Sequence, residues 1–136
     1  MRLKKILLLF LFIPAFKPGQ GQSLQLKNIH KEYSLHQGFV FELSNLTDST
    51  LTYLTSLEIL QEGGEWQEIR TDVFTYHTTK SAKVFEVAGK ATKTNVFYPG
   101  KYISPSNKDF RLKISYGHDY RVNGGVIYSD KFKFIK

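Results

Sequence analysis

The sequence predicts an all-β protein, an antiparallel β-sandwich of about seven to eight strands behind a signal peptide. Short runs in which apolar and polar residues alternate recur along most of the chain. Turn-forming residues separate these runs at short intervals, and no segment sustains the 3.6-residue apolar period of an amphipathic helix. The first 21 residues have a different composition, with a basic start and a short apolar stretch.

The N-terminal segment has the composition of a secretory signal peptide. Arg2, Lys4 and Lys5 precede an apolar run at residues 6–13. A transmembrane helix needs about 20 apolar residues, and this run is about half that length. A basic start, a short apolar middle and small residues at the end are typical of a cleaved leader, so we expect cleavage within residues 20–22. An uncleaved anchor is the alternative.

Cleavage would leave a single domain, residues 22–136, with no membrane span. We expect it to work after export, in the periplasm, at the cell surface or outside the cell. The whole chain has 19 Lys and Arg against 12 Asp and Glu, a formal charge of +7. Four basic residues and no acidic one lie in the leader, which leaves 15 against 12, or +3. The remaining basic residues form no cluster with aromatics, so we predict no nucleic-acid partner.

The chain contains no Cys. Thiol catalysis, disulfides and Cys-ligated metals are therefore excluded, although an exported protein could have used disulfides. A domain of about 115 residues can bury roughly two thirds of its unfolded surface. Packing alone is expected to hold the fold together.

Three segments alternate most regularly between apolar and polar residues, at 39–45, 110–116 and 131–135. Successive side chains of a strand point to opposite faces, so every second residue of each segment is expected to face the core. Further strands are predicted at 24–29, 51–60, 66–70, 83–87 and 92–98. The predicted core residues of the three regular segments are Phe39, Phe41, Leu43, Phe110, Leu112, Ile114, Tyr116, Phe132 and Phe134.

A Gly-Gly pair at positions 63–64 predicts the turn of a β-hairpin, because Gly takes positive φ at little steric cost. We expect Leu57 and Ile59 before the turn to pack near Trp66 and Ile69 after it. Trp66 is the only Trp of the chain and is predicted to be a core residue.

Four glutamates, Glu58, Glu62, Glu65 and Glu68, surround this turn. Paired carboxylates are the catalytic groups of glycoside hydrolases, which hold them in a cleft. On an exposed hairpin they are instead typical of a solubilising face that opposes edge-to-edge pairing. We interpret all four as lying on the solvent face.

Several short motifs occur in a recognisable order. They are Asn45-Leu46-Thr47, Leu57-Glu58, Gly63-Gly64-Glu65-Trp66, Ala88-Gly89-Lys90 and Phe110-Arg111-Leu112. With them, residues 24–136 resemble bacterial immunoglobulin-like domains, in which an N-x-T turn follows the second strand and an L-E strand leads through a Gly turn to W. The resemblance implies an immunoglobulin-like β-sandwich outside the cytoplasm and implies no catalytic residues.

The chain departs from this pattern at two points. The P-G-x-Y-R lead into the penultimate strand is interrupted, because Pro99-Gly100-Lys101-Tyr102 stands well before Phe110-Arg111. The disulfide that joins the two sheets of antibody domains is absent.

No catalytic motif is present in the sequence, and we predict that the protein is not an enzyme and has no cofactor. The histidines show no metal-ligand spacing, although a zinc site built from histidines distant in sequence is an alternative. His30 and His36 are expected to flank a turn in a solvated loop. The four histidines are His30, His36, His77 and His118.

Binding is the function that these exclusions leave. We predict a protein–protein interaction module or a structural component of the cell envelope, with an envelope or extracellular protein as its partner. Lys131 and Lys133 in the last strand are candidate contacts, although lysines also protect sheet edges. The alternative is carbohydrate binding through loop aromatics, since aromatic rings stack on sugars and loops carry function. Its candidate residues are Tyr98, Tyr102 and Tyr76.

The triplet Asp48-Ser49-Thr50 resembles the Asp-Ser/Thr-small acceptor of O-glycans on exported proteins of some Gram-negative bacteria. Ser49 is therefore a candidate O-glycosylation site. The alternative is an Asx or ST turn that caps the loop after the second strand.

Overall fold

The computed structural model describes residues 23–69, 83–98, 103–104 and 106–136. These residues form ten β-strands and no helix. The strands are β1 (Leu24–Lys27), β2 (Glu32–Ser34), β3 (Phe39–Asn45), β4 (Leu51–Leu60), β5 (Trp66–Ile69), β6 (Phe85–Val87), β7 (Thr92–Phe97), β8 (Phe110–Gly117), β9 (Gly125–Tyr128) and β10 (Lys133–Ile135). The predicted leader lies outside the described residues.

The strands form two antiparallel sheets and a short ribbon. The first sheet has the order β1-β3-β7, and the second has the order β5-β4-β8-β9, with β6 paired to β4 beside β5. The ribbon joins β2 to β10 in parallel. Its strand β10 is preceded by Phe132, which pairs with Phe110 at the start of β8.

The core lies between the two sheets and is closed by the ribbon. All but one of the core residues predicted from alternation are buried, and Tyr116 is partly buried against the same cluster. The predicted all-β, antiparallel β-sandwich is therefore confirmed. Two strands exceed the predicted count. Strand β2 lies where a turn was expected between His30 and His36, and β9 lies in a segment for which no strand was predicted.

Aromatic rings fill the end of the core at which the ribbon meets both sheets. The ring of Phe39 lies 4.2 Å from that of Tyr33 and 5.1 Å from that of Phe132, measured between centroids. The rings of Phe110 and Phe134 meet edge to face at 4.9 Å. Such pairs contribute about 0.5–1.5 kcal/mol each beyond the burial of their area. The ribbon is thus joined to both sheets by the same cluster.

A part-buried hydrogen bond also crosses between the sheets. The hydroxyl of Tyr53 on β4 donates to Oδ1 of Asn95 on β7 at 2.7 Å. Burial raises the pKa of Tyr53 to about 12, although the hydrogen bond to Asn95 opposes the rise. The phenol therefore stays a donor at ordinary pH.

Asn45 organises the turn after β3. Its Nδ2 donates to the backbone carbonyl of Ser49 at 2.8 Å and to those of Val87 and Ala88 at 3.0 and 3.1 Å. Its Oδ1 accepts from the backbone N–H and the hydroxyl of Thr47 at 2.9 and 2.7 Å. One buried amide thus ties two loops together, and this explains the Asn-x-Thr spacing in the sequence.

Gly89 lies against the same turn. A Cβ at this position would stand 2.2 Å from the carbonyl oxygen of Asp48 and 2.9 Å from the backbone nitrogen of Ser49. Backbone atoms cannot move aside as the end of a flexible side chain can. Close approach of two backbones therefore requires Gly here.

Gly89→Ala is expected to destabilise the protein by about 2–4 kcal/mol, at or above the usual cost of overpacking, because the clash is with backbone. Gly63→Ala is the matched control, since a Cβ there meets nothing within 4 Å. Urea unfolding measures both. Equal, small losses for the two variants would contradict the close approach.

Candidate binding surface

The register of the β4–β5 hairpin places Trp66 on the outer face of the second sheet. Leu60 pairs with Trp66 and Leu57 pairs with Ile69. Trp66 and Ile69 are three residues apart, so their side chains point to opposite faces of β5. The prediction that Leu57 and Ile59 pack near both residues is wrong for Trp66, which is not a core residue but lies half-buried on the outer face. It is confirmed for Ile69, which packs against the core.

Glu58 on β4 lies beside Trp66 on that outer face and is buried. Only 7% of the residue is exposed, and its Oε1 accepts a hydrogen bond from Nε of Arg111 at 2.7 Å. The prediction of a solvent-facing Glu58 is therefore wrong, because the directly paired residue on β8 is an arginine. The other three glutamates of the hairpin are exposed, as predicted.

Arg111 contacts two aromatic rings besides this carboxylate. Its guanidinium carbon is 4.4 Å from the ring centroid of Trp66 and 4.0 Å from that of Tyr128 on β9. Guanidinium groups stack well on aromatic faces because they are planar and weakly hydrated. We call Glu58, Trp66, Arg111 and Tyr128 the Arg111 cluster.

The Arg111 cluster combines the side chains that dominate protein interfaces. Trp, Tyr and Arg are the residues most enriched among those that carry binding energy. Tyr128 is half-exposed, and Trp66 is partly exposed. Their mutual contacts fix their rotamers before any partner arrives, which lowers the entropy lost on binding.

Tyr98 lies on the outer face of the other sheet, just after β7. It is largely exposed, with 66% of the residue accessible to solvent. A Cβ on Gly38 would lie 3.3 Å from Cε1 of Tyr98, so the ring covers this glycine. The cross-strand pair Val40 and Val96 is exposed beside it.

The other two aromatics of the predicted carbohydrate site, Tyr76 and Tyr102, lie outside the described residues. The site made of Tyr98, Tyr102 and Tyr76 therefore stays a prediction.

Lys131 and Lys133 share one carboxylate. Their Nζ atoms are 3.6 and 3.1 Å from the carboxylate oxygens of Asp109. Lys133 Nζ also donates to the carbonyl of Asn107 at 2.7 Å. The hydrogen bond from Lys133 is the main cause that lowers the pKa of Asp109, and the charge of Lys131 adds to it. Both lysines border an open groove of about 680 Å³ that also includes His30.

Ser49 is exposed on the turn organised by Asn45. Its Oγ is 3.5 Å from Nδ1 of His118, at the outer limit of a hydrogen bond. The expectation of exposed histidines is met at His30 and His36, whereas His77 lies outside the described residues. Among the described residues, no group of three or more His, Asp or Glu side chains could hold a metal ion.

Within the part of the chain that the structure describes, no helix has the length and apolarity needed to cross a bilayer. In comparisons with known proteins, the chain matches no family model, no curated protein and no solved structure.

Replacing Arg111 by Leu is expected to cost about 2–4 kcal/mol, because the carboxylate of Glu58 would be left buried without its partner. The double variant Glu58→Leu, Arg111→Leu is the control. It removes both charges and is expected to regain most of the loss. Urea unfolding of the three proteins gives the coupling energy. A single-variant loss below about 1 kcal/mol would show that this ion pair behaves as a solvent-exposed one.

Asp109 is expected to contribute pH-dependent stability. Because its pKa is lower in the folded protein than its ordinary value of 3.8, its contribution is present above that value. It is lost as the pH falls through the lowered pKa. Thermal melts of wild type and Asp109→Asn between pH 6 and pH 2 should therefore converge at the acidic end. A constant difference in Tm across this range would contradict the assignment.

Proposed function

We propose that the chain is an exported, non-enzymatic immunoglobulin-like module that acts by protein–protein interaction in the cell envelope or outside the cell. The observation that carries this proposal is the Arg111 cluster. It presents two partly exposed aromatic rings on either side of a guanidinium that is already paired.

The physical argument rests on the low cost of using this surface. The charge of Arg111 is balanced by Glu58, so a partner that covers the cluster does not bury an unpaired ion. The rings of Trp66 and Tyr128 supply apolar area and bear polar N–H and O–H groups that can reach a partner. The export part of the proposal rests on the basic start and short apolar run of the first 21 residues.

Lys131 and Lys133 are retained as a second candidate contact. The Lys131 side chain is 68% exposed despite its ion pair with Asp109. It therefore stays accessible to an acidic partner.

Carbohydrate binding is the second candidate function, favoured by the exposure of Tyr98. Its ring stands free on one side and covers Gly38 on the other. A sugar ring could stack on the free side of such an aromatic.

Two variants on opposite sheets separate the two functions. Trp66→Ala removes a ring of the Arg111 cluster, and Tyr98→Ala removes the exposed ring of the other face. Capture of partners from the native envelope fraction, quantified by mass spectrometry, is expected to fall by about tenfold or more for Trp66→Ala, as truncation of an interface aromatic does. Tyr98→Ala is the matched control and is expected to capture as wild type does.

The same proteins are then applied to a glycan array. If carbohydrate binding is the function, wild type is retained on specific glycans and Tyr98→Ala is not, while Trp66→Ala is unaffected. Capture that neither substitution weakens, together with an empty array for wild type, would contradict both functions.

A further inference from the structure

The edge strands of the two sheets differ in how they are protected. Strands β1, β5, β6, β7 and β9 each have a paired strand on one side among the described residues. Charged side chains on an edge oppose pairing with another chain. Four of the five edges carry one, namely Lys27, Glu68, Glu86 and Lys93. Strand β9, with the sequence Gly-Val-Ile-Tyr, carries none.

The backbone of β9 has free groups on its outer side. The backbone N–H of Ser129 donates to the carbonyl of Leu112 on β8 at 3.0 Å. Along an antiparallel strand, residues whose backbone groups bond to the neighbouring strand alternate with residues whose groups point away from it. Ile127, two residues before Ser129, therefore bonds to β8, while the N–H and C=O groups of Val126 and Tyr128 point away. Within the described part of the chain these outward groups have no backbone partner.

The side chains of the same two residues extend this edge as an apolar surface. Val126 is 47% exposed, and Tyr128 is also about half-exposed. Both lie on the outer face of the second sheet, where Tyr128 stacks on Arg111. An unprotected edge therefore coincides with unburied apolar side chains.

We propose that β9 is a self-association edge, which pairs antiparallel with β9 of a second copy of this chain about a twofold axis at Ile127. In this register Val126 of each copy stands opposite Tyr128 of the other. Each of these two pairs exchanges two hydrogen bonds, so every outward N–H and C=O of Val126 and Tyr128 is satisfied.

A second copy fits this edge because the edge is self-complementary. Val126 and Tyr128 point outward with one residue between them, so a twofold axis maps each onto the other, as closed dimers require. Because β9 is uncharged, no like charges face each other in this register. Pairs of β-branched and aromatic side chains are favourable across antiparallel strands.

Pairing in this way would join the second sheet of one copy to the second sheet of the other in one continuous sheet. The two Arg111 clusters would then lie on the same outer face, which would present two binding surfaces to one partner. The contact involves one short strand from each copy and is smaller than the interface of a typical stable dimer. The association is therefore expected to be weak and to appear only at high protein concentration.

Sedimentation equilibrium of the purified protein tests this proposal over about 10 µM to about 1 mM, the range of weak association. The weight-average mass is expected to rise from that of one chain toward that of two. Val126→Lys adds the charge that β9 lacks and is expected to weaken association by about tenfold or more. Val96→Lys is the matched control, because Val96 is 51% exposed on the outer face of the other sheet. It is expected to associate as wild type does.

Residue-resolved hydrogen exchange on wild type supplies a second measurement that needs no variant. The amides of Val126 and Tyr128 are expected to gain protection as concentration rises, whereas that of Ile127 is protected at every concentration. A mass of one chain throughout the range overturns the proposal. So does association that Val126→Lys leaves intact or that Val96→Lys weakens equally. None of these outcomes bears on capture of an envelope partner through Trp66, so the two proposals fail separately.

Discussion

The aromatic cluster around Phe39 is the contact on which the rest of the fold depends. The chain has no Cys, so packing holds the two sheets together without a covalent link. Phe39 of the first sheet meets Phe97 on the neighbouring strand and the rings of Phe132 and Phe134 at the C-terminus. Phe134 in turn meets Phe110 of the second sheet. These contacts join both sheets and the ribbon through one set of rings.

A second constraint acts on the outer face of the second sheet. The pair of Glu58 and Arg111 occupies adjacent central strands, where both groups are shielded by their neighbours. An ion pair in this setting contributes little net stability, because desolvation offsets most of the attraction. It does fix the position of the guanidinium, and through it the rings of Trp66 and Tyr128. The pair is thus better explained as an organiser of a surface than as a source of stability.

The sequence predicts the long strands well because burial of one face imposes a two-residue period on them. Burial alternates over residues 39–43 of β3 and 110–115 of β8, and the inward positions of both strands were predicted correctly. Strand β2 was missed because it has a single apolar residue, and β9 was missed because its apolar residues lie on both faces and so do not alternate with polar ones. The position of Trp66 was predicted wrongly because Trp66 and Ile69 are three residues apart in β5. An odd separation puts two side chains of a strand on opposite faces, even when both are apolar.

The candidate surface could be predicted only in part. The alternation of β8 places Arg111 on the outer face, and this is where it lies. Its contact with Glu58 depends on the pairing of β4 with β8, which brings together residues 53 positions apart. No local pattern encodes such a pairing. The exposure of Tyr98 is consistent with the prediction from its loop position, whereas the roles of Ser49, Lys131 and Lys133 depend on partners and chemistry that lie beyond the fold.

The parallel ribbon has a consequence for the order in which the chain can fold. Strand β10 is the last of the ten described strands and pairs with β2, about a hundred positions earlier. Contacts of such separation form late, because a long loop must close before they contribute any stability. Phe132 and Phe134 can complete the core only once β10 has been synthesised and has paired with β2. Until then the core lacks two of its rings, so the strands that come first in the domain cannot reach their final packing before its last strand is available.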